Sequence, residues 1–137
     1  MIDLTGKRIL ITGASSGIGK QTAILASELG AHVVLVARRE EQLQAVLSEL
    51  SGQNHAQYSF DLSDLEDIDG LIAQMVEDQG PIAGFVHSAG VGASRPLKML
   101  KPQALEQVMR INCYAFVELV RSITKKGRFS EGLSVVG

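Results

Sequence analysis

The sequence predicts an α/β domain built on a doubly wound parallel sheet of about five strands. Short apolar runs alternate with longer segments of helical period, and a glycine-rich turn joins the first run to the first helical segment. The runs are almost continuously apolar, which suits strands that are buried on both faces. With 137 residues and no visible linker or internal repeat, the chain has the length of one domain with a real core.

Five apolar runs are the strand candidates: residues 8–12, 32–37, 57–61, 84–88 and 133–136. Helical segments separate them, so the connections are long enough for parallel pairing. Helices are therefore expected on both faces of the sheet.

The first predicted helix follows the glycine turn, with Ile18, Leu25 and Leu29 at helical spacing. Gly30 comes directly after it, at the position of a left-handed C-terminal cap. A second helix, over 43–50, is followed by the polar segment SGQN. These two helices complete the first two strand-to-helix units of the domain.

Two further helices are predicted in the second half of the chain. Ser63 and Glu66 have capping-box spacing before a helix that Gly80 and Pro81 stop. The longest helix should begin near Pro102 and run for about 22 residues, to Lys125 or Lys126. Its apolar stripe also contains position 112, so Asn112 is expected to face inward. The stripe consists of Leu105, Val108, Met109, Phe116, Leu119, Val120 and Ile123.

Composition and charge exclude several classes of function. The net charge is −2 and 20% of the residues are charged, so nothing indicates a nucleic-acid or membrane partner. Cys113 is the only cysteine, which leaves no internal disulfide and no cysteine cluster for a metal. The N-terminus has no signal-peptide pattern and no run is long enough to span a membrane. We expect a cytoplasmic protein without a metal site.

The segment TGASSGIGK, from Thr12 to Lys20, is the most informative motif. Glycines between a strand and a helix allow a tight turn, and the helix N-terminus offers unpaired N–H groups to a phosphate. Gly13, Gly17 and Gly19 follow the spacing G-x-x-x-G-x-G rather than the usual dinucleotide pattern G-x-G-x-x-G. A phosphate site is favoured, and a purely structural turn is the alternative.

Four ordered motifs resemble the classical short-chain dehydrogenases/reductases. TGASSGIG is similar to the TGxxxGxG cofactor turn of that family, Asp61 lies where its adenine-contacting aspartate does, HSAG (87–90) replaces its NNAG, and Asn112 lies at its catalytic asparagine. The resemblance covers the whole chain and implies a Rossmann-type fold. It implies that 1–137 is a single NAD(P)-binding domain, the N-terminal part of a longer chain, truncated after the fifth strand.

The same resemblance implies the residues that contact the cofactor. They come from the glycine turn, the ends of the second and third strands, and the HSAG segment. They are Gly13, Ser15, Ser16, Gly17, Ile18, Gly19, Arg38, Arg39, Asp61, Leu62, Ser88, Ala89 and Gly90.

The end of the second strand favours NADP(H) over NAD(H), although NAD(H) stays possible. An acidic residue there would bind the ribose hydroxyls of NAD, whereas an arginine accommodates the extra phosphate of NADP. Ala37 occupies the usual acidic position and Arg38 follows it, with Arg39 either assisting or exposed. Two solvated surface arginines are the alternative.

Three polar residues have a functional and a structural interpretation. By resemblance Asp61 borders adenine together with Leu62, but it could equally only cap the next helix. The resemblance implies that Asn112 distorts its helix and holds a water in a proton relay, or else it is a structural amide that ties the helix to a loop. His87 ends a buried strand, and we expect a hydrogen-bonded core histidine rather than a general base.

The family transfers hydride between a nicotinamide and a carbonyl or secondary alcohol, with a serine and a Tyr-x-x-x-Lys pair as further catalytic groups. Neither tyrosine has a lysine four residues on, because those positions are Leu62 and Glu118. The chain is therefore expected to supply cofactor binding without turnover. A non-catalytic nucleotide-binding or interaction module is the alternative, and 3-oxoacyl-thioester reduction is a narrower version of the enzyme hypothesis.

The resemblance also predicts self-association. A further strand and helix would follow the fifth strand in the family, so that strand is expected to be an open edge. By the same resemblance, an apolar belt on the long helix implies a homodimer or homotetramer, and the alternative is that the belt is core. The belt comprises Met109, Cys113, Phe116, Val117 and Val120.

Overall fold

The computed structural model describes the whole chain, Met1–Gly137. It contains five strands and five α-helices. The strands are β1 (Arg8–Thr12), β2 (His32–Ala37), β3 (Ala56–Ser59), β4 (Ile82–His87) and β5 (Phe129–Val136). The helices are α1 (Gly17–Glu28), α2 (Glu40–Glu49), α3 (Ile68–Gln79), α4 (Pro102–Met109) and α5 (Ala115–Ile123).

The strands form one fully parallel sheet in the order β3-β2-β1-β4-β5. The predicted fold class is confirmed: this is a Rossmann-like α/β sheet with helices on both faces. The chain builds outward from β1 to β3 and then crosses back to β4, so the strand order reverses between β1 and β4. In such sheets ligands bind at the carboxyl ends of the strands near this reversal.

Successive strand residues point to opposite faces and build two separate cores. Leu10, Val34 and Val36 pack with α3 and α5 on one face. Ile11 and Leu35 pack with α1 and α2 on the other face. All five side chains are almost completely buried, which explains why the strand sequences are apolar throughout rather than alternating.

Two glycines end helices as predicted. Gly30 has φ +96°, its N–H donates to the Ser27 carbonyl at 3.0 Å, and the Ala31 N–H donates to the Ala26 carbonyl at 3.0 Å. This pair of hydrogen bonds is the Schellman arrangement, which satisfies carbonyls at the end of α1. Gly80, with φ +95°, ends α3 differently: its N–H donates to the Val76 carbonyl at 2.7 Å, and the following Pro81 has no N–H for a second bond.

Asp69 joins α3 and α5, the two helices that pack on the same face of the sheet. Its Oδ1 accepts hydrogen bonds from Ser122 Oγ at 2.8 Å, Lys125 Nζ at 2.6 Å and Arg128 Nη1 at 2.8 Å. These donors hold the pKa of the Asp69 carboxyl well below its usual range. The carboxylate therefore fixes the end of α5, and the turn into β5, against the first turn of α3.

The structure differs from the predicted long helix in two respects. The chain is helical from Pro102 to Ile123, but Arg110–Tyr114 forms a π-helical turn between α4 and α5, and the helix ends before Lys125. The π turn winds the chain more widely, because its hydrogen bonds join residues five apart. Periodicity alone does not detect this change.

The predicted inward stripe holds only in part. Leu119 and Ile123 are completely buried, whereas Leu105 and Met109 are 46% and 42% exposed and no residue of α4 is buried. Asn112 is exposed, which contradicts the expectation that it faces inward. The buried line runs through positions 111, 115, 119 and 123, and position 112 lies about 100° around the helix from it.

Other element boundaries also differ from the sequence prediction. β3 ends at Ser59, β4 begins at Ile82, and β5 begins at Phe129, four residues before the predicted start. Gly132 has φ +78° and the β4–β5 register shifts between Ile82 and Gly84, so an irregularity interrupts the apolar pattern of β5. None of the helices combines the length and apolar character that crossing a membrane requires.

Candidate nucleotide-binding site

A cavity of about 380 Å³ opens at the carboxyl ends of β1, β2, β3 and β4. Ligand pockets are typically about 300 to 1,000 Å³ in volume, so it has the size of a binding site. Of the thirteen cofactor residues predicted from the sequence, every one except Gly19 lines this cavity. Four further lining residues were not predicted: Ala37, Phe60, Val91 and Ile111.

The glycine turn forms the first wall of the cavity. Gly13 has φ +63°, and a Cβ atom built there would lie 2.6 Å from the Ala89 backbone nitrogen. Only glycine therefore allows β1 to turn this close to the loop after β4. Gly19 is buried, and a Cβ there would lie 2.8 Å from the Gly13 carbonyl carbon, so Gly19 packs α1 against the turn instead of lining the cavity.

The N-terminus of α1 offers hydrogen-bond donors beside this wall. No side chain caps the helix at Ser16 and its first turn contains no acidic residue. The first N–H groups of a helix have no partner within the helix, and the helix dipole makes this end positive. Ser16, Gly17 and Ile18 all line the cavity, so an anion there would meet these donors.

Arg38 and Arg39 lie at the mouth of the cavity after β2. Both are exposed and neither takes part in an ion pair, whereas Lys20 on α1 is engaged by Glu49 at 2.8 Å. The Ser59 hydroxyl donates to the Arg38 carbonyl at 2.7 Å, which fixes the backbone but leaves the guanidinium free. The site therefore holds two unpaired cations where a second phosphate could bind.

Asp61 is a charged acceptor at the end of β3. Its Oδ1 accepts hydrogen bonds from the Ser63 N–H at 2.9 Å and the Ser63 hydroxyl at 2.7 Å. These bonds, together with the charge of Arg38, lower the pKa of the Asp61 carboxyl. The capping box predicted for Ser63 and Glu66 is wrong, because α3 begins only at Ile68 and Ser63 bonds to Asp61 instead.

The loop after β4 forms the second wall, and polar side chains hold it in place. The buried Thr12 hydroxyl lies 2.8 Å from His87 Nδ1 and also accepts from the Ser88 N–H at 3.2 Å and the Ala89 N–H at 3.3 Å. His87 Nε2 lies 3.3 Å from the Ile111 carbonyl. His87 is thus the hydrogen-bonded histidine that its position predicted.

These partners assign the tautomer of His87. The Ile111 carbonyl only accepts, so Nε2 carries the proton and Nδ1 accepts from the Thr12 hydroxyl. Burial against the Phe85 and Phe116 rings lowers the pKa of His87, which keeps the imidazole neutral at pH 7.

The π-helical turn contacts the loops on both sides of the cavity. Arg110 Nε donates to the Ser63 carbonyl at 2.6 Å, after β3. On the other side, Asn112 Oδ1 accepts from the Val91 N–H at 2.8 Å and its Nδ2 donates to the Val91 carbonyl at 3.0 Å. Both ends of the Asn112 amide are therefore occupied by backbone, as in the structural interpretation of this residue.

Sequence reasoning placed Thr12 in the glycine motif without a role for its hydroxyl, and it gave no role in the nucleotide cavity to Val91 or Arg110. Each acts through a long-range contact with a backbone group, and no local pattern encodes such a contact. The structure also contains no group of three or more His, Cys, Asp and Glu side chains that could hold a metal ion. The cavity is therefore built from backbone donors, two arginines and one carboxylate.

Comparison with known proteins decides the family. The family model described as short chain dehydrogenase matches residues 7–133, which is nearly the whole chain. The chain belongs to the short-chain dehydrogenase family. A fatty acyl-CoA reductase of Mycobacterium tuberculosis is 40% identical over 129 residues, which cover 89% of this chain and 43% of that protein.

Two further similarities agree with this membership. The 3-oxoacyl-[acyl-carrier-protein] reductase of Rickettsia conorii is 35% identical over an alignment that covers all of this chain and 57% of that protein. A structure from Escherichia coli CFT073, described as a short chain dehydrogenase complexed with NADPH, has a TM-score of 0.82 and 32% identity, and covers 90% of this chain and 54% of that one. The chain spans about half the length of the short-chain dehydrogenases that it matches.

Proposed function

We propose that this chain is the NADP(H)-binding part of an oxidoreductase that transfers hydride between NADP(H) and a carbonyl or secondary alcohol. The observation that carries the proposal is the pair of unpaired arginines, Arg38 and Arg39, at the mouth of the cavity. The solved family member from Escherichia coli CFT073 contains NADPH, which supports the same cofactor here.

The residues of the cavity fit such a dinucleotide. A Cβ atom at Gly17 would meet nothing within 4 Å, so the backbone at the start of α1 is open to a phosphate group. In the proposal the first turn of α1 holds the pyrophosphate and Arg38 forms a fork of donors around the 2′-phosphate, with Arg39 assisting. When bound, the nicotinamide would donate or accept the hydride.

The remaining residues border the two ends of the cofactor. Asp61 and Leu62 would lie against the adenine end, since they follow β3 next to Arg38. Ser88, Ala89 and Gly90 would form the floor beside the ribose at the other end. Asn112 is proposed as a positioning residue for this floor, because its amide holds the backbone of Val91.

The substrate class is a narrower proposal. One similar protein is named as a 3-oxoacyl-[acyl-carrier-protein] reductase, which supports 3-oxoacyl thioesters, and a second is named as a fatty acyl-CoA reductase, whose substrate is also an acyl thioester. A non-catalytic nucleotide-binding module is the second candidate, since the residues that line the cavity account for nucleotide binding alone. These 137 residues contain no Tyr-x-x-x-Lys pair. We therefore expect the 137-residue chain to bind NADP(H) and to show no carbonyl-dependent oxidation of NADPH in an absorbance assay.

Assembly and location also belong to the proposal. Met109, Cys113 and Val117 of the predicted belt are exposed, whereas Phe116 and Val120 pack partly against the core. A homo-oligomer formed through the exposed part is proposed, in a cytoplasmic protein. Sedimentation equilibrium of the chain, compared with Val117→Asp, tests the assembly, and an unchanged mass in the variant would contradict it.

Calorimetric titration with NADP⁺ and NAD⁺ tests the cofactor. We expect NADP⁺ to bind about tenfold more tightly or better, which corresponds to about 1.4 kcal/mol. Arg38→Ala should abolish most of this preference, because a charge-assisted bond to the 2′-phosphate is lost, while Arg39→Ala should reduce it less. Equal affinities for the two nucleotides, or unchanged NADP⁺ binding in Arg38→Ala, would overturn the proposal.

A further inference from the structure

His87 connects three parts of the site that are far apart in sequence. It ends β4, contacts Thr12 at the end of β1, and contacts the Ile111 carbonyl in the π-helical turn. Thr12 in turn holds the N–H groups of Ser88 and Ala89, which belong to the cavity floor. The hydrogen bonds of the floor N–H groups therefore share one hydroxyl group with the His87 ring.

This arrangement works for only one protonation state of the imidazole. In neutral His87 the Thr12 hydroxyl donates its proton to Nδ1, and its two lone pairs remain for the Ser88 and Ala89 N–H groups. A second proton on the ring turns Nδ1 into a donor. Three N–H groups then compete for the two lone pairs of Thr12, so at least one donor loses its partner.

We propose that His87 is a positioning residue whose protonation below neutral pH releases the Ser88–Ala89 floor and weakens nucleotide binding. The inference rests on the proposed nucleotide site. Bound nucleotide favours the ordered floor and hence neutral His87, so binding and protonation oppose each other by linkage. Loss of affinity at acid pH is the expected consequence.

No charged group near His87 compensates for an added proton. The groups that face it are the Thr12 hydroxyl from β1, the Phe85 ring from β4, the Ile111 carbonyl from the π-helical turn and the Phe116 ring from α5. The cation of that π-helical turn, Arg110, is directed to the Ser63 carbonyl, and Glu118 on α5 is paired with Arg121. An imidazolium would therefore have no carboxylate partner.

The test is a calorimetric titration with NADP⁺ at several pH values from 8 to 5.5, on the chain and on two variants. His87→Asn keeps a polar amide but cannot titrate, and His32→Asn removes a histidine at the opposite end of the sheet as a matched control. The 2′-phosphate itself titrates near pH 6, so its contribution is common to all three proteins. Far-UV circular dichroism at each pH confirms that the proteins stay folded.

We expect affinity to fall between pH 8 and pH 5.5 by about threefold or more beyond the fall in His87→Asn, and His32→Asn should follow the parent chain. Parallel profiles in the parent chain and His87→Asn would overturn the inference. If no NADP⁺ binds at pH 8, the proposed function fails. A second measurement then tests whether protonation of His87 releases the floor.

That second measurement needs no variant and no ligand. In a nuclear magnetic resonance titration of the free chain, the amide signals of Ser88 and Ala89 should shift with the same midpoint as the ring protons of His87. The amides of Ser15 and Ser16, which form no hydrogen bond with Thr12 or His87, should not shift with this midpoint. If the chemical shifts of the Ser88 and Ala89 amides do not change at the midpoint of the His87 titration, the inference is overturned, whether or not nucleotide binds.

Discussion

The two walls of the nucleotide cavity are built by different means. The wall formed by the β1–α1 turn depends on backbone geometry, with Gly13 in a left-handed conformation and Gly19 packed against it. The wall formed by the loop after β4 depends on side-chain hydrogen bonds from Thr12, His87 and Asn112. Of the side chains named here, only His87 titrates near neutral pH, so the proposed response to pH concerns the second wall alone.

The two walls should therefore be sensitive to different kinds of substitution. Added volume at Gly13 would break the first wall, because the Ala89 backbone is too close to accept a side chain. Loss of a single hydroxyl or amide would loosen the second wall without disturbing the strands beneath it. Substitutions in the two walls should therefore differ in the amount of stability that they remove and in the physical reason for the loss.

The largest effect is expected for Gly13→Ala. The new Cβ would lie 2.6 Å from the Ala89 nitrogen at a positive φ, so the free energy of unfolding should fall by about 3 kcal/mol or more. Gly17→Ala is the matched control, since Gly17 also has a positive φ but no neighbour within 4 Å, and it should cost about 1 kcal/mol. The chain has no tryptophan, so urea denaturation is followed by circular dichroism. Equal losses in the two variants would contradict the steric interpretation.

Thr12→Val should have the next largest effect. It keeps the shape of a buried side chain but leaves His87 Nδ1 and the Ser88 and Ala89 N–H groups without their shared partner. The expected loss of unfolding free energy is about 1 to 3 kcal/mol, measured by the same denaturation experiment. Thr12→Ser retains the hydroxyl and should recover most of this stability. An unchanged free energy of unfolding in Thr12→Val would show that the second wall does not depend on the Thr12 hydroxyl.

Asn112→Ala is expected to have a smaller effect. It removes two hydrogen bonds to Val91, but these lie at an exposed position, so about 1 kcal/mol of stability should be lost. Hydrogen exchange of the Val91 amide should accelerate, while the amides of α1 should keep their protection. Unchanged exchange at Val91 would show that the Asn112 amide does not hold this loop.

The smallest effect is expected from pH acting on stability through His87. Burial lowers the pKa of His87 in the folded chain, so the unfolded chain binds more protons as the pH falls through 6.5. Stability is then fully present above that pH and is lost progressively as pH falls toward the lower folded-state pKa. Melting temperatures between pH 7.5 and pH 5.5 should therefore fall more steeply for the parent chain than for His87→Asn. Identical slopes would contradict this contribution.

Most of the fold was predictable from sequence because its signals are local. A continuously apolar run such as 32–37 indicates a doubly buried strand, and Gly30 after a periodic segment indicates a helix end. The start of β5 was not predictable, because Glu131 and Gly132 interrupt its apolar pattern and only pairing with β4 extends the strand. Periodicity did not indicate the π-helical turn, since one wider turn leaves the apolar composition of the helix unchanged. Only the family resemblance implied a distorted helix at Asn112.

The residues of the candidate site divide in the same way. Gly13, Arg38 and Asp61 follow strand ends, and the ends of parallel strands meet at one edge of the sheet, so their convergence could be inferred from order along the chain. The exposure of Asn112 and the bond from Arg110 to Ser63 depend on how the helix is rotated against the sheet. That rotation follows from packing of Leu119 and Ile123 across the core.

The sequence by itself determined the parallel α/β sheet, the short-chain dehydrogenase motifs and the glycine wall, because periodicity and backbone conformation are properties of neighbouring residues. The hydrogen bonds of the second wall, by contrast, could be found only in the tertiary structure. The Thr12 hydroxyl forms hydrogen bonds with residues 75 to 77 positions away in sequence, and the Asn112 amide bonds to a residue 21 positions away. Hydrogen bonds over such separations exist only once the strands and the π-helical turn are in place, and no local pattern records them.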